Sequence, residues 1–344
     1  IKFCVFFGLM VAFFLKTPLL CAPKIKYAAM LKFLKNWTLP VAMLVGTVVY
    51  FLFAHVSFLA PAKTAVWVSV SVLTPFLIFA QLLLTFCKVE PKELKPVLWH
   101  WWLLLFQLIS CLLVAVVLVY VPMPEVYRDV FEGAMVCLIC PTATAAAVIT
   151  GKLGGNAGSL TTYTLLSNIL AAIIVPLLFP IVEVHSNVSF LTACSRILIK
   201  VFPLLLCPFI AACLIRVFLP KLRTYLANFS NLAFYLWGVA LAIVSGQTVR
   251  SLVNSDASGY VKLLIALAGL ITCCIQFYYG KRIGGHYQER ISGGQALGQK
   301  NTVLAIWMAY TYLNPLSSVG PGSYVLWQNI INSWQLWKKR KKEN

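Results

Sequence analysis

The sequence predicts an all-α integral membrane protein of about ten transmembrane helices, and three observations lead there. The 344 residues are 61% hydrophobic and 11% charged, with a mean hydropathy of +0.87, which is too apolar for a soluble domain. The apolar residues fall into runs of about 20, the length at which a helix crosses the hydrocarbon core with its backbone hydrogen bonds closed internally. The 28 Lys and Arg against 9 Asp and Glu, a net charge of +19, lie in short loops between those runs. They form no basic face with interleaved aromatics, so they indicate a lipid bilayer as partner and no nucleic acid.

In chain order, residues 1–36 carry a short apolar stretch at 3–15 and a basic stretch, Lys24, Lys26, Lys32 and Lys35. The apolar part is about half a bilayer long, as in a signal h-region, an interfacial helix or a mis-assigned start, and it stands apart from the fold. Spans are predicted at about 37–58, 65–87, 96–120, 131–151, 160–182, 195–219, 229–249, 260–280, 292–312 and 322–337. Alternate loops hold Lys88, Lys92 and Lys95, then Lys152, then Lys221 and Arg223, then Lys281, Arg282 and Arg290, and finally the basic tail 338–344. These loops are assigned to the cytoplasm, which puts both termini there, in the plasma (inner) membrane. The opposite loops hold Glu125, Asp129, Glu183 and Asp256. All nine carboxylates are expected in loops or at span ends.

Eleven cysteines are spread over the chain. Most lie within apolar runs, as small core residues do. Cys137 and Cys140 form a C-x-x-C, but no second pair or nearby histidine completes a metal site, so none is expected, nor any cofactor. The histidines, His55, His100, His185 and His286, are dispersed near span ends and join no nucleophile, so the chain is not read as an enzyme.

Two spans are unlike the others. The fourth contains Cys140-Pro141-Thr142-Ala143-Thr144-Ala145-Ala146-Ala147, and the ninth contains Gly293-Gly294-Gln295-Ala296-Leu297-Gly298-Gln299-Lys300-Asn301-Thr302. Both mix proline, glycine and polar residues at membrane depth, where a helix can break. Each is fourth in its half, residues 37–182 or 195–337 of a domain spanning 37–337. Paired interrupted spans at matching positions point to a transporter of two inverted five-helix repeats with its site at the midplane. Broken helices expose positive N-terminal ends, which suit an anionic substrate. The competing reading is that these small residues only allow close helix packing.

At these spans the sequence resembles the bile acid:sodium symporter family, whose members carry Cys-Pro-Gly-Gly-Thr-Ala-Ser-Asn in the fourth span and Glu-x-Gly-x-Gln-Asn in the ninth. The landmarks are Cys140-Pro141, Thr144-Ala145, Gly155-Asn156, Gly298, Asn301, Leu304-Ala305 and Trp327-Gln328-Asn329-Ile330, and the resemblance runs from about 37 to 337. It implies a core domain in which spans four and nine cross at their unwound centres, and a panel domain of spans one, two, six and seven moving against it. It further implies substrate contacts at Thr144, Asn301 and Asn329, and sodium-site positions at Gln107 and Thr164.

The departures concentrate in the coupling site. The family's Ser-Asn is Ala146-Ala147 here, its ninth-span glutamate is Ala296, and the glutamine before the asparagine is Lys300. A sodium ion needs several hard oxygen ligands, and side-chain oxygens are missing at three of these positions. An intramembrane lysine is a functional hypothesis in itself. Lys300 is therefore expected to stand in for the sodium ion, offering fixed positive charge to an anionic substrate or shuttling a proton. The alternative is that it snorkels to the surface or donates to carbonyls of the broken helix.

The expected function is secondary transport of a small organic anion such as a bile acid, keto acid or pantoate-like acid, not conventionally sodium-coupled, with H+ or Na+ as the possible coupling ion. A second reading keeps sodium in a rearranged site of Gln107, Thr164, Gln299 and backbone carbonyls. A third is a membrane receptor or scaffold that no longer transports. The sequence leaves substrate identity and oligomeric state open.

Overall fold

A computed structural model describes residues 38–89, 94–183, 189–228 and 232–343. The N-terminal segment 1–36 lies outside them. The described residues are helical, without a strand, and run in the order α1 (Thr38–His55), a 3-10 turn (Ser57–Ala62), α2 (Lys63–Lys88), α3 (Leu98–Tyr120), α4 (Glu125–Ile139), α5 (Ala146–Leu153) and α6 (Ala157–Val182). Then follow α7 (Phe190–Phe218), α8 (Pro220–Asn228), α9 (Leu232–Asn254), α10 (Gly259–His286), α11 (Arg290–Gly298), α12 (Thr302–Tyr312), a second 3-10 turn (Pro315–Ser318) and α13 (Val319–Glu343). Among them, α2, α3, α6, α7, α9 and α10 are long and apolar enough to cross a membrane. At 23 residues, α3 is about 35 Å long, enough for a hydrocarbon core of about 30 Å.

These helices are apolar all round, so their outward faces carry exposed hydrophobic side chains such as Leu113, Val72, Leu191 and Val217. That is the pattern of a protein whose solvent is lipid. Inside, α9 packs on α1 and α2, and α2 packs on α7. In a second group α10 packs on α4, α11 and α13, and α3 packs on α4.

The first group is held by close backbone approach. A Cβ on Gly46 of α1 would lie 2.0 Å from the carbonyl oxygen of Ala242 on α9, and Gly246 meets Gly46 from the other side. Lipid tails are as apolar as leucine, so such contacts are what membrane helices have to pack with.

At one end of the bundle Arg128 ties three helices together. Its guanidinium donates to the Leu118 carbonyl near the end of α3, at 3.1 Å, and to the Val182 carbonyl at the end of α6. It also pairs with Glu132 at 3.4 Å and with Glu183 at 4.0 Å.

This corrects one expectation. Helix α4 begins at Glu125, directly after Pro124, about two turns earlier than the pattern of apolar residues implied. Asp129 and Glu132 consequently lie within a helix and are buried, instead of in a loop or at a span end. Glu132 pairs with Arg128 and accepts the Asn314 backbone N–H at 3.3 Å. Two further differences are additions. The short helix α8 occupies a predicted loop, and the basic run Lys338–Lys342 continues α13 instead of leaving it as a separate tail.

Candidate functional site: the crossing of two interrupted helices

The fourth predicted span is two helices, α4 and α5, and the ninth is two more, α11 and α12. At 15, 8, 9 and 11 residues, none exceeds about 23 Å, too short to cross alone. Pro141 causes the first break. It has no N–H to donate and forces the preceding residue out of the α region. Cys140 accordingly sits at φ −54°, ψ 134°, and α4 stops at Ile139. The second break follows Gly298, where a Cβ would meet the Phe277 ring at 2.4 Å. Gln299 is extended there, and Asn301 opens α12 as its N-cap, its Oδ1 accepting from the Leu304 N–H at 3.3 Å.

The two breaks pair with each other. The Ala143 N–H donates to the Gln299 carbonyl and the Asn301 N–H to the Pro141 carbonyl, both at 2.9 Å, which makes an antiparallel bridge of Thr142 with Lys300. In this register the bridged residues are the closely spaced, non-hydrogen-bonded pair, so their side chains emerge side by side. The Thr142 hydroxyl donates to the Ala296 carbonyl at 2.6 Å, and the Thr142 N–H donates to Ser167 Oγ at 3.2 Å. This small patch of extended backbone is buried at the meeting point of four helix ends.

A helix ending inside the protein leaves its last four carbonyls without partners. In α4 each finds a side-chain donor. Gln276 Nε2 reaches the Cys137 carbonyl at 3.2 Å, Lys300 Nζ the Leu138 carbonyl at 3.2 Å, and Gln107 Nε2 the Ile139 and Cys140 carbonyls at 2.8 and 3.3 Å. On α11, Tyr324 OH donates to the Gly298 carbonyl at 2.8 Å. The Lys300 side chain is 1% exposed, and its cation lies at the negative C-terminal end of α4, where the helix dipole favours positive charge. The ammonium has three N–H groups, and one carbonyl takes one of them. Around it are the thiols of Cys111, Cys137 and Cys140. Among the described residues no carboxylate lies within ion-pair distance of Lys300.

The crossing brings together Lys300, Gln299, Asn301, Ala296 and Gln107. Ala146 and Ala296 are fully buried and Ala147 is half-buried, each presenting a methyl group where the family pattern has a side-chain oxygen. Thr144 is half-buried in the turn after the bridge. Two expected residues turn inward on their own helices. The Thr164 hydroxyl donates to the Leu160 carbonyl at 3.0 Å, and the Asn329 amide donates to the Val325 carbonyl at 2.7 Å.

Gln328, the neighbour of Asn329, reaches the crossing, its Oε1 accepting the Lys300 backbone N–H at 2.9 Å. Thr142, Gln276, Gln328 and Tyr324 had no assigned role from sequence. Thr142 and Gln328 lay within quoted motifs, and Gln276 and Tyr324 are polar residues among apolar neighbours, a signal that singles them out.

The sequence model of the sodium bile acid symporter family matches residues 74–255, more than half of the chain. The chain belongs to this family. The match takes in Gln107, the first interrupted helix and Thr164, and it ends before the second interruption. A protein of Bacillus subtilis (strain 168), described as an uncharacterized sodium-dependent transporter, YocS, is 24% identical to this symporter-family chain over 219 residues. That stretch is 62% of this chain and 66% of the relative, so the chain spans a little under two thirds of the relative's length.

Proposed function

We propose that this chain is a secondary transporter moving a small organic anion by alternating access, with the Lys300 ammonium occupying the role that a coupling sodium ion plays in a sodium symporter. In this reading the protein has ten spans in two inverted five-helix repeats, with both termini cytoplasmic in the plasma membrane. The interrupted helices form the core. Helices α1, α9, α2 and α7, each packed on the next in that order, are the panel that moves against it. Family membership and six spanning helices support the transporter reading.

The observation that carries the coupling mechanism is the state of the α4 carbonyls. A sodium ion draws on backbone and side-chain oxygens, and here the last four carbonyls of α4 already accept from Gln276, Lys300 and Gln107. The donors are two neutral amides, of Gln276 and Gln107, and one ammonium, of Lys300, that carries the positive charge itself. The two remaining ammonium N–H groups are the donors offered to a substrate carboxylate or sulfonate. Thr144 and Asn301, both half-buried beside the bridge, are the adjoining contacts.

A rearranged sodium site is the second reading, favoured by the description of the Bacillus relative as sodium-dependent and by Gln299 Oε1, a buried oxygen without a hydrogen-bond partner. Against it, Gln107 Oε1 accepts from Tyr163 OH at 3.1 Å and the Thr164 hydroxyl serves its own helix. The test is uptake of labelled bile acids, keto acids and pantoate-like acids into proteoliposomes under sodium, potassium and proton gradients. Uptake of one of these acids at equal rates with sodium and potassium is expected. Uptake requiring sodium selects the second reading, and binding without flux in any gradient would leave a receptor.

A further inference from the structure

At the end of the bundle where α1 finishes, α2 starts and α9 finishes, a cavity of about 260 Å³ opens to the surface, distinct from the crossing. Its lining includes Arg250, Lys63 and His55 and no acidic residue. The guanidinium of Arg250 lies 4.0 Å over the ring of Trp67 and donates to Tyr310 OH at 3.3 Å. Stacking uses only its face and Tyr310 takes one of five donors, so in-plane N–H groups stay open for a forked acceptor. Among the described residues neither Arg250 nor Lys63 has a carboxylate within ion-pair distance. The polar wall is completed by Asn254, whose Oδ1 accepts from Tyr50 OH at 3.3 Å, leaving its amide N–H groups as donors. The apolar wall is Phe53 and Trp67.

A second cavity, of about 660 Å³, adjoins this one, and Arg250 and Asn254 line both. It carries Glu125, Asp129 and Asp256. Arg250 therefore marks a boundary, with a positive, aromatic chamber on the α1–α2–α9 side and an acidic chamber on the other. An anion arriving at this end is drawn to the first and repelled from the second.

We propose that the α1–α2–α9 chamber is an anion-binding site separate from the helix crossing, which takes a carboxylate or sulfonate attached to a single ring. Arg250 grips the charged head bidentately, Lys63 adds charge, and Trp67 and Phe53 cover the ring. A volume slightly below the usual range for ligand pockets, about 300–1,000 Å³, fits one ring and excludes a steroid nucleus. The site stands whether or not transport is coupled through Lys300.

The probe is 4-iodobenzoate, titrated into the full chain in phosphatidylcholine nanodiscs while tryptophan emission is read. Iodine quenches an indole it touches, and Trp67→Phe identifies which of the ten tryptophans reports. The expected result is saturable quenching that disappears in Trp67→Phe, is competed by benzoate, and is unchanged in Lys300→Gln. Arg250→Gln should weaken binding about tenfold, the loss of one bidentate charged contact. Lys63→Gln, at an exposed position where folding is not at stake, should weaken it about threefold. The proposal is overturned if 4-iodobenzoate does not quench, if neutral 4-iodobenzamide binds as tightly, if Lys63→Gln and a folded Arg250→Gln both match wild type, or if Lys300→Gln abolishes the signal.

Discussion

Lys300 and Thr142 carry the account at the scale of single residues. Removing a buried donor leaves its carbonyl unsatisfied at a cost of about 1–3 kcal/mol, but removing a buried charge also lifts a desolvation penalty of several kcal/mol. These offset in Lys300→Met. We expect its stability to detergent-phase unfolding to stay within about 2 kcal/mol of wild type, while anion uptake is lost. A lysine serving only to cap α4 would show the reverse, with stability falling and uptake kept. Thr142→Val removes the hydroxyl that bonds the Ala296 carbonyl, so a loss of about 1–2 kcal/mol is expected, measured by the same unfolding assay. At this scale the sequence located the crossing and named Lys300, Gln299, Asn301 and Gln107 there, but not the hydrogen bonds they make. One residue along a helix turns the side chain by about 100°, and with Gln328, Asn329 and Asn332 set at different angles around α13, the pattern does not say which of them faces the crossing.

Among the helices, the legible features were those with a local steric cause. Pro141 stops α4, and the polar run from Gln295 to Asn301 marks the break between α11 and α12. The start of α4 was missed because Glu125, Arg128, Asp129 and Glu132 read as a loop by hydropathy. Their spacing of three and four is that of one helix face; the structure buries Asp129 and Glu132 on it, and Arg128 ties it to the ends of α3 and α6. The close approach of α1 and α9 gives a direct test. Gly46→Leu must push the two backbones apart, because even a Cβ meets the Ala242 carbonyl. It should cost more than 2 kcal/mol, by the overpacking expected of a close helix pair, and show as a lower unfolding midpoint. Ala at a surface position such as Val72 should leave the midpoint unchanged.

For the whole molecule, charge and hydropathy made the membrane class legible, since bilayer insertion demands long apolar helices irrespective of their packing. The proposed inverted-repeat topology makes a labelling prediction. In a cysteine-depleted background, Asp256→Cys should react with a membrane-impermeant maleimide from outside intact cells, whereas Lys221→Cys should react only after permeabilisation. Both residues reacting from one side would contradict the proposed topology.

The measurement that bears most directly on the tethered cation is uptake of a transported organic anion into proteoliposomes by wild type and by Lys300→Gln, each with and without a sodium gradient. Glutamine keeps a donor for the Leu138 carbonyl but removes the charge. Wild-type uptake indifferent to sodium, and lost in Lys300→Gln, is the predicted result. Sodium-driven uptake that survives in Lys300→Gln would contradict it.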